Sequence, residues 1–94
     1  MTQRLQGRAV APEGVLVREL GGESVLLNLN TESYFGLDET GTRMWAALTK
    51  SASIDAAFET LLTEYEVEPE HLRADLLRFV ERLAAAGLID VRDV

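Results

Sequence analysis

At 94 residues the chain is long enough for one domain with a modest core and too short for an enzyme cleft with its own lid. Its 47% apolar and 27% charged residues are ordinary globular proportions, and the absence of cysteine excludes a disulfide frame, a thiolate metal site and a catalytic thiol. A net charge of −7 works against phosphate backbones, because non-specific nucleic-acid affinity comes largely from Lys and Arg displacing counterions.

Residues 1–13 carry Arg4 and Arg8 without periodicity and run into the turn signal Pro12-Glu13-Gly14, so a flexible arm is expected ahead of a domain over residues 14–94. The start lacks the apolar core of a signal peptide, and no apolar run approaches the roughly 20 residues that span a bilayer. A soluble, cytoplasmic protein without membrane contact is therefore expected. The run from Val15 to Leu20 is rich in β-forming residues and stops at Gly21-Gly22, a two-residue hairpin signal. A second strand follows, with Val25, Leu27 and Leu29 on one face and Leu26, Asn28 and Asn30 on the other. Asn30-Thr31-Glu32-Ser33 is a turn cluster, and Ser33 to Leu37 forms a third short strand with Phe35 and Leu37 sharing a face.

The period then changes. Asp38 is an N-cap, Glu39 suits the positive end of a helix dipole, and Gly41, Met44, Trp45 and Leu48 recur at helical spacing, so the first helix runs over about 39–49. Trp45 is expected to fill core against the sheet. Ser53 caps a second helix in which Ile54, Ala57, Phe58, Leu61, Leu62 and Tyr65 keep one apolar face. Pro69 opens a third helix that carries through Leu83 and ends at Gly87, and the tail Leu88 to Val94 adds a short strand. The fold class is α+β: a three-stranded antiparallel meander followed by three helices, in a winged helix-turn-helix-like arrangement.

The third helix has a wide apolar arc. Leu72, Leu76, Phe79 and Leu83 form one stripe, and Leu77, Val80 and Ala84 form a second beside it. Either both are buried, or the second lines a groove that awaits a partner. Preformed chemistry is missing. His71 is the single histidine, without a second imidazole or thiol to share a zinc ion, and Glu64, Glu66, Glu68 and Glu70 lack the Asp-rich loop of a calcium site, so a solvated acidic edge and no metal are expected. No nucleophile elbow, phosphate-cradling loop or dinucleotide fingerprint occurs, and neither catalysis nor a cofactor is expected.

Leu27-Asn28, the aromatic pair Tyr34-Phe35, Leu37-Asp38, Thr40-Gly41 and the helical Trp45 together resemble the family of pyrroloquinoline quinone biosynthesis protein D. The match runs from Val25 to Leu48 and more loosely through the second and third helices. That resemblance implies a winged-helix domain that binds the leader segment of a ribosomally made precursor peptide and does not catalyse. It implies that the leader adds as a strand to the third strand of the meander, in a groove with the third helix. Ser33, Tyr34, Phe35, Gly36 and Leu37 would then pair with the leader, and Arg73, Leu76, Leu77, Val80 and Ala84 would line its pockets. Gly36 would let the foreign backbone approach closely. Within the family the chain looks most like the stand-alone leader-binding protein of lasso-peptide pathways, whose partners are a cysteine-protease leader peptidase and a macrocyclising enzyme. An alternative is the precursor chaperone of the quinone-cofactor pathway.

Winged-helix shape also serves transcription factors. An acidic DNA-binding regulator is the rival from another class, opposed by Asp75 and Glu81 interleaving with Arg73, Arg78 and Arg82 and by Glu68 and Glu70 at the helix start. A module that pairs its own exposed edge strands is a third possibility.

Overall fold

The computed structural model describes residues 7–92, and its elements in chain order are β1 (Arg8–Val10), β2 (Val15–Leu20), β3 (Glu23–Asn28), β4 (Ser33–Leu37), α1 (Glu39–Lys50), α2 (Ile54–Glu64), α3 (Pro69–Ala85) and β5 (Asp90–Arg92). β2, β3 and β4 form an antiparallel meander in that spatial order. Gly21 and Gly22 both adopt positive φ, 62° and 87°, the backbone that a tight two-residue hairpin turn demands and that only glycine takes without strain. With Val17 opposite Leu26 and Leu26 opposite Phe35, one register line of the sheet runs through fully buried Leu26.

The turn between β3 and β4 is held from within. Asn28 Oδ1 accepts from the backbone N–H of Asn30 at 2.9 Å and of Thr31 at 3.3 Å, while its Nδ2 donates to the carbonyl of Gly87 at 3.0 Å. Asn28 is thus a buried polar residue with its side-chain groups satisfied, and it ties the sheet to the end of α3. Ser24 and Thr42 make a second buried polar contact, hydroxyl to hydroxyl at 2.7 Å, between β3 and α1.

All three helices begin where the sequence places them. Asp38 accepts from the Gly41 N–H at 2.7 Å and Ser53 from the Ala56 N–H at 3.0 Å, each satisfying an orphan donor of a first turn. Pro69 occupies the first turn of α3, and Gly87, at φ 74°, ends it. Met44, Trp45 and Leu48 of α1, Phe58 and Leu61 of α2, and Leu72, Leu76, Val80 and Leu83 of α3 meet Leu26 and Leu37 in one core. This is the expected α+β winged-helix arrangement. No helix among the described residues is long and apolar enough to cross a membrane.

The amino-terminal segment departs from expectation. Arg8–Val10, assigned by the sequence to a flexible arm, pairs antiparallel with Asp90–Arg92, and Ala9 is only 3% exposed. The Ile54 N–H also donates to the Gly7 carbonyl at 2.8 Å. A three-residue strand buries a single side chain, so it leaves no periodicity to read. The first six residues of the expected arm, Arg4 among them, lie outside the described residues. The tail strand expected within Leu88 to Val94 is β5.

Candidate peptide-binding cleft

β4 is an edge strand: β3 pairs with one side of it and, among the described residues, no strand pairs with the other. The sheet has a second edge, β2, but Arg18 and Glu19 sit there, and charges on an edge discourage further pairing. β4 reads Ser-Tyr-Phe-Gly-Leu with no charge and no proline, so its outer backbone groups form an unguarded template. Alternation sends Phe35 and Leu37 inward, half-buried and buried, and leaves Tyr34 77% exposed on the outer face beside Val25 and Leu27.

Beside that edge α3 stands off and leaves a cleft of about 450 Å³. Phe35, Gly36, Leu37 and Asp38 form one wall, Asp75, Arg78, Phe79 and Arg82 of α3 the other, and Thr40, Gly41 and Met44 the floor. A Cβ on Gly41 would lie 3.3 Å from Asp38 Oδ1 and 3.4 Å from Leu37, so glycine there allows the cap and the strand end to close down together. At Gly36 a Cβ would meet nothing within 4 Å. The wall on α3 is amphipathic. The Arg82 guanidinium lies 5.2 Å from the centroid of the Phe35 ring, and Arg78 is 3.9 Å from Asp75 in an exposed pair that contributes little.

The α3 residues named from sequence fall in three places. Leu76 and Val80 are core, 0% and 6% exposed. Arg73 stacks over Phe58 of α2, 4.7 Å from the ring centroid, and Leu77 and Ala84 share its flank at 100° per residue. The flank that faces β4 is instead Asp75, Arg78, Phe79 and Arg82. Helical periodicity defines the angles between these residues but not which flank turns toward the sheet. The arginines of the cleft were read only as rejected DNA contacts, and Phe79 only as core. Among the described residues no group of three or more His, Asp or Glu is placed to hold a metal ion, and no buried side-chain nitrogen or oxygen lacks a partner.

An open edge strand along a cleft walled by an amphipathic helix completes a winged-helix domain. The family model of coenzyme PQQ synthesis protein D (PqqD) matches residues 23–89, and the chain belongs to that family. Among solved structures, TbiB1 in complex with the TbiA(beta) leader peptide superposes with a TM-score of 0.81 at 31% identity, over 86% of this chain and 94% of that one. A lasso peptide synthetase B1 complexed with the leader peptide has the same fold, with a TM-score of 0.78 at 23% identity over 88% of this chain and 98% of the other. No curated protein shows a significant sequence match.

Proposed function

We propose that this protein binds the leader segment of a ribosomally synthesised precursor peptide by adding it as a fourth strand to β4. The observation that carries this reading is the uncharged, unpaired edge of β4 lying along a cleft walled by α3. Backbone hydrogen bonds along Ser33 to Leu37 set the register, and leader side chains on one face enter the cleft against Phe79, Leu37 and Met44. The likeness to TbiB1, whose structure holds a leader peptide, supports the same occupant, and the lasso-peptide pathway is the one that the sequence resembles most. In that pathway the protein presents the leader to a leader peptidase and a macrocyclising enzyme, with no catalysis of its own.

The regulator reading is the weaker one. Glu68 and Glu70 occupy the start of α3, and the net charge of −7 repels phosphates. Calorimetric titration with synthetic leader peptides from neighbouring short reading frames, beside a duplex DNA control, tests the choice. Micromolar or tighter peptide binding with a negative heat-capacity change and no heat with DNA is expected. Heat with DNA and none with any leader overturns it.

A further inference from the structure

The cleft does not end at Leu37. A second cavity of about 530 Å³ opens beneath the α2–α3 turn, lined by Tyr65, Val67 and Leu72 with Glu66, Glu68 and His71 around them. It shares Thr40, Met44 and Asp75 with the β4 cleft, so the two adjoin in one run along α3. Charge changes sign along it. Arg78 and Arg82 stand at the β4 end, Asp75 in the middle, and Glu66 and Glu68 at the far end.

The sign at the far end survives scrutiny. The amino terminus of α3 contributes about half a positive charge, against the carboxylates of Glu66, Glu68 and Glu70 within the same turn region. Glu68 holds the N-cap position but its side chain makes no capping hydrogen bond, and among the described residues neither Glu66 nor Glu68 is ion-paired. Their carboxylates are therefore available, above an apolar floor that suits the stem of a long cationic side chain.

The direction taken for the added strand is the one that continues the antiparallel pattern of the meander. Every pair in the meander is antiparallel, and a fourth strand antiparallel to β4 runs from the Leu37 end toward the Ser33 end. Its amino-terminal part then points at the acidic cavity and its carboxy-terminal part at Arg78 and Arg82. His71 to Arg82 spans about 16 Å at the helical rise, which an extended peptide crosses in about five residues.

We propose that the cavity beneath the α2–α3 turn is a second subsite for the same peptide, taking a lysine or arginine about four or six residues, an even number so that both side chains face α3, before an acidic residue that meets Arg78 and Arg82. The protein thereby selects leaders whose charge runs from positive to negative in the amino-to-carboxy direction. This rests on strand addition to β4 as the primary binding mode.

The test uses three labelled synthetic peptides of about twelve residues, identical in a Val/Thr/Tyr host. One carries Lys before Asp at the stated separation, one carries Asp before Lys, and one carries Gln at both places. Amide shifts of Ser33 to Leu37 in nitrogen-15 spectra report strand addition itself, and fluorescence anisotropy reports affinity. Lys-before-Asp is expected to bind about fivefold or more tighter than the reversed order, and the Glu66→Gln, Glu68→Gln double variant is expected to bring the two within about twofold without changing the Gln peptide. Strand addition with no preference for charge order, or a preference that survives the double variant, overturns the second subsite alone. Absence of β4 shifts with all three peptides overturns the strand-addition reading and the subsite with it.

Discussion

Arg82 of α3 lies over the ring of Phe35 in β4, 5.2 Å from its centroid, a cation–aromatic contact that crosses the cleft. It holds the Phe35 ring against α3 and places a cation beside the strand edge at once. Arg82→Ala is expected to lower Tm by only about 2–8 °C, since such a contact at a partly exposed site contributes about 0.5–1 kcal/mol. Affinity for an acidic leader should fall several-fold more at low salt than at high salt, because the lost charge is screened as ionic strength rises. Titrations at two salt concentrations check this; a loss independent of salt would assign Arg82 to packing alone.

Substitutions at Gly36 separate edge backbone from side-chain space. A Cβ there meets no atom within 4 Å, so Gly36→Val should leave Tm unchanged or raised, valine suiting a strand better than glycine. Gly36→Pro removes an N–H and sets its ring against an incoming strand, and it is expected to abolish peptide binding while helical circular dichroism and Trp45 emission persist. Retained binding in the proline variant would mean that the peptide does not pair with β4.

Neighbouring positions on α3 should give opposite phenotypes. Leu76→Ala opens a cavity at a fully buried site and is expected to cost about 2–5 kcal/mol, a large share of the 5–15 kcal/mol typical of a whole domain. Phe79→Ala, at the half-buried cleft wall, should cost less stability and weaken leader binding about tenfold or more. Thermal melts set beside anisotropy titrations distinguish the two. Leu77→Asp belongs with Leu76: Leu77 packs partly buried against the core on the Arg73 flank, so the aspartate should destabilise the domain before it affects binding.

These contrasts show which parts of the molecule its sequence carries openly. The Gly21-Gly22 turn, the caps Asp38 and Ser53, Pro69 and Gly87 are local chemistry, each tied to backbone within a few residues, and they mark the element boundaries. Strand and helix periods likewise separate Phe35 from Tyr34 and Leu76 from Arg78. What a period does not carry is the rotation of a helix about its axis relative to a distant strand. Periodicity therefore groups Arg73, Leu77 and Ala84 as a flank but is silent on whether β4 or α2 faces it; the contact between Arg73 and Phe58 answers that in three dimensions. The charge gradient along α3 is hidden for the same reason, since Glu66 and Arg82 are joined only by the fold.

Asn28 is a further point where distant segments meet. Its Nδ2 donates to the Gly87 carbonyl, and its Oδ1 organises the turn leading into β4. Asn28→Ala leaves the Gly87 carbonyl, in a part-buried contact, and two turn N–H groups without this partner, and is expected to cost about 1–3 kcal/mol. At the usual scaling for a domain of this size that lowers Tm by roughly 4–24 °C. Because the turn sets the start of β4, the exchange of the Ser33 to Leu37 amides should quicken as well, which hydrogen exchange measures directly.

The amino-terminal strand offers a test that needs no ligand. Ala9 is 3% exposed, and its strand closes against β5, whereas Ala11, two residues on, is exposed. A carboxylate at position 9 would enter the core, so Ala9→Asp is expected to lower the urea midpoint strongly with little change in slope. Ala11→Asp should leave the midpoint nearly unchanged. If residues 8–10 were a loose arm, the two variants would behave alike; a gap between them of more than about 2 kcal/mol makes β1 part of the folded unit.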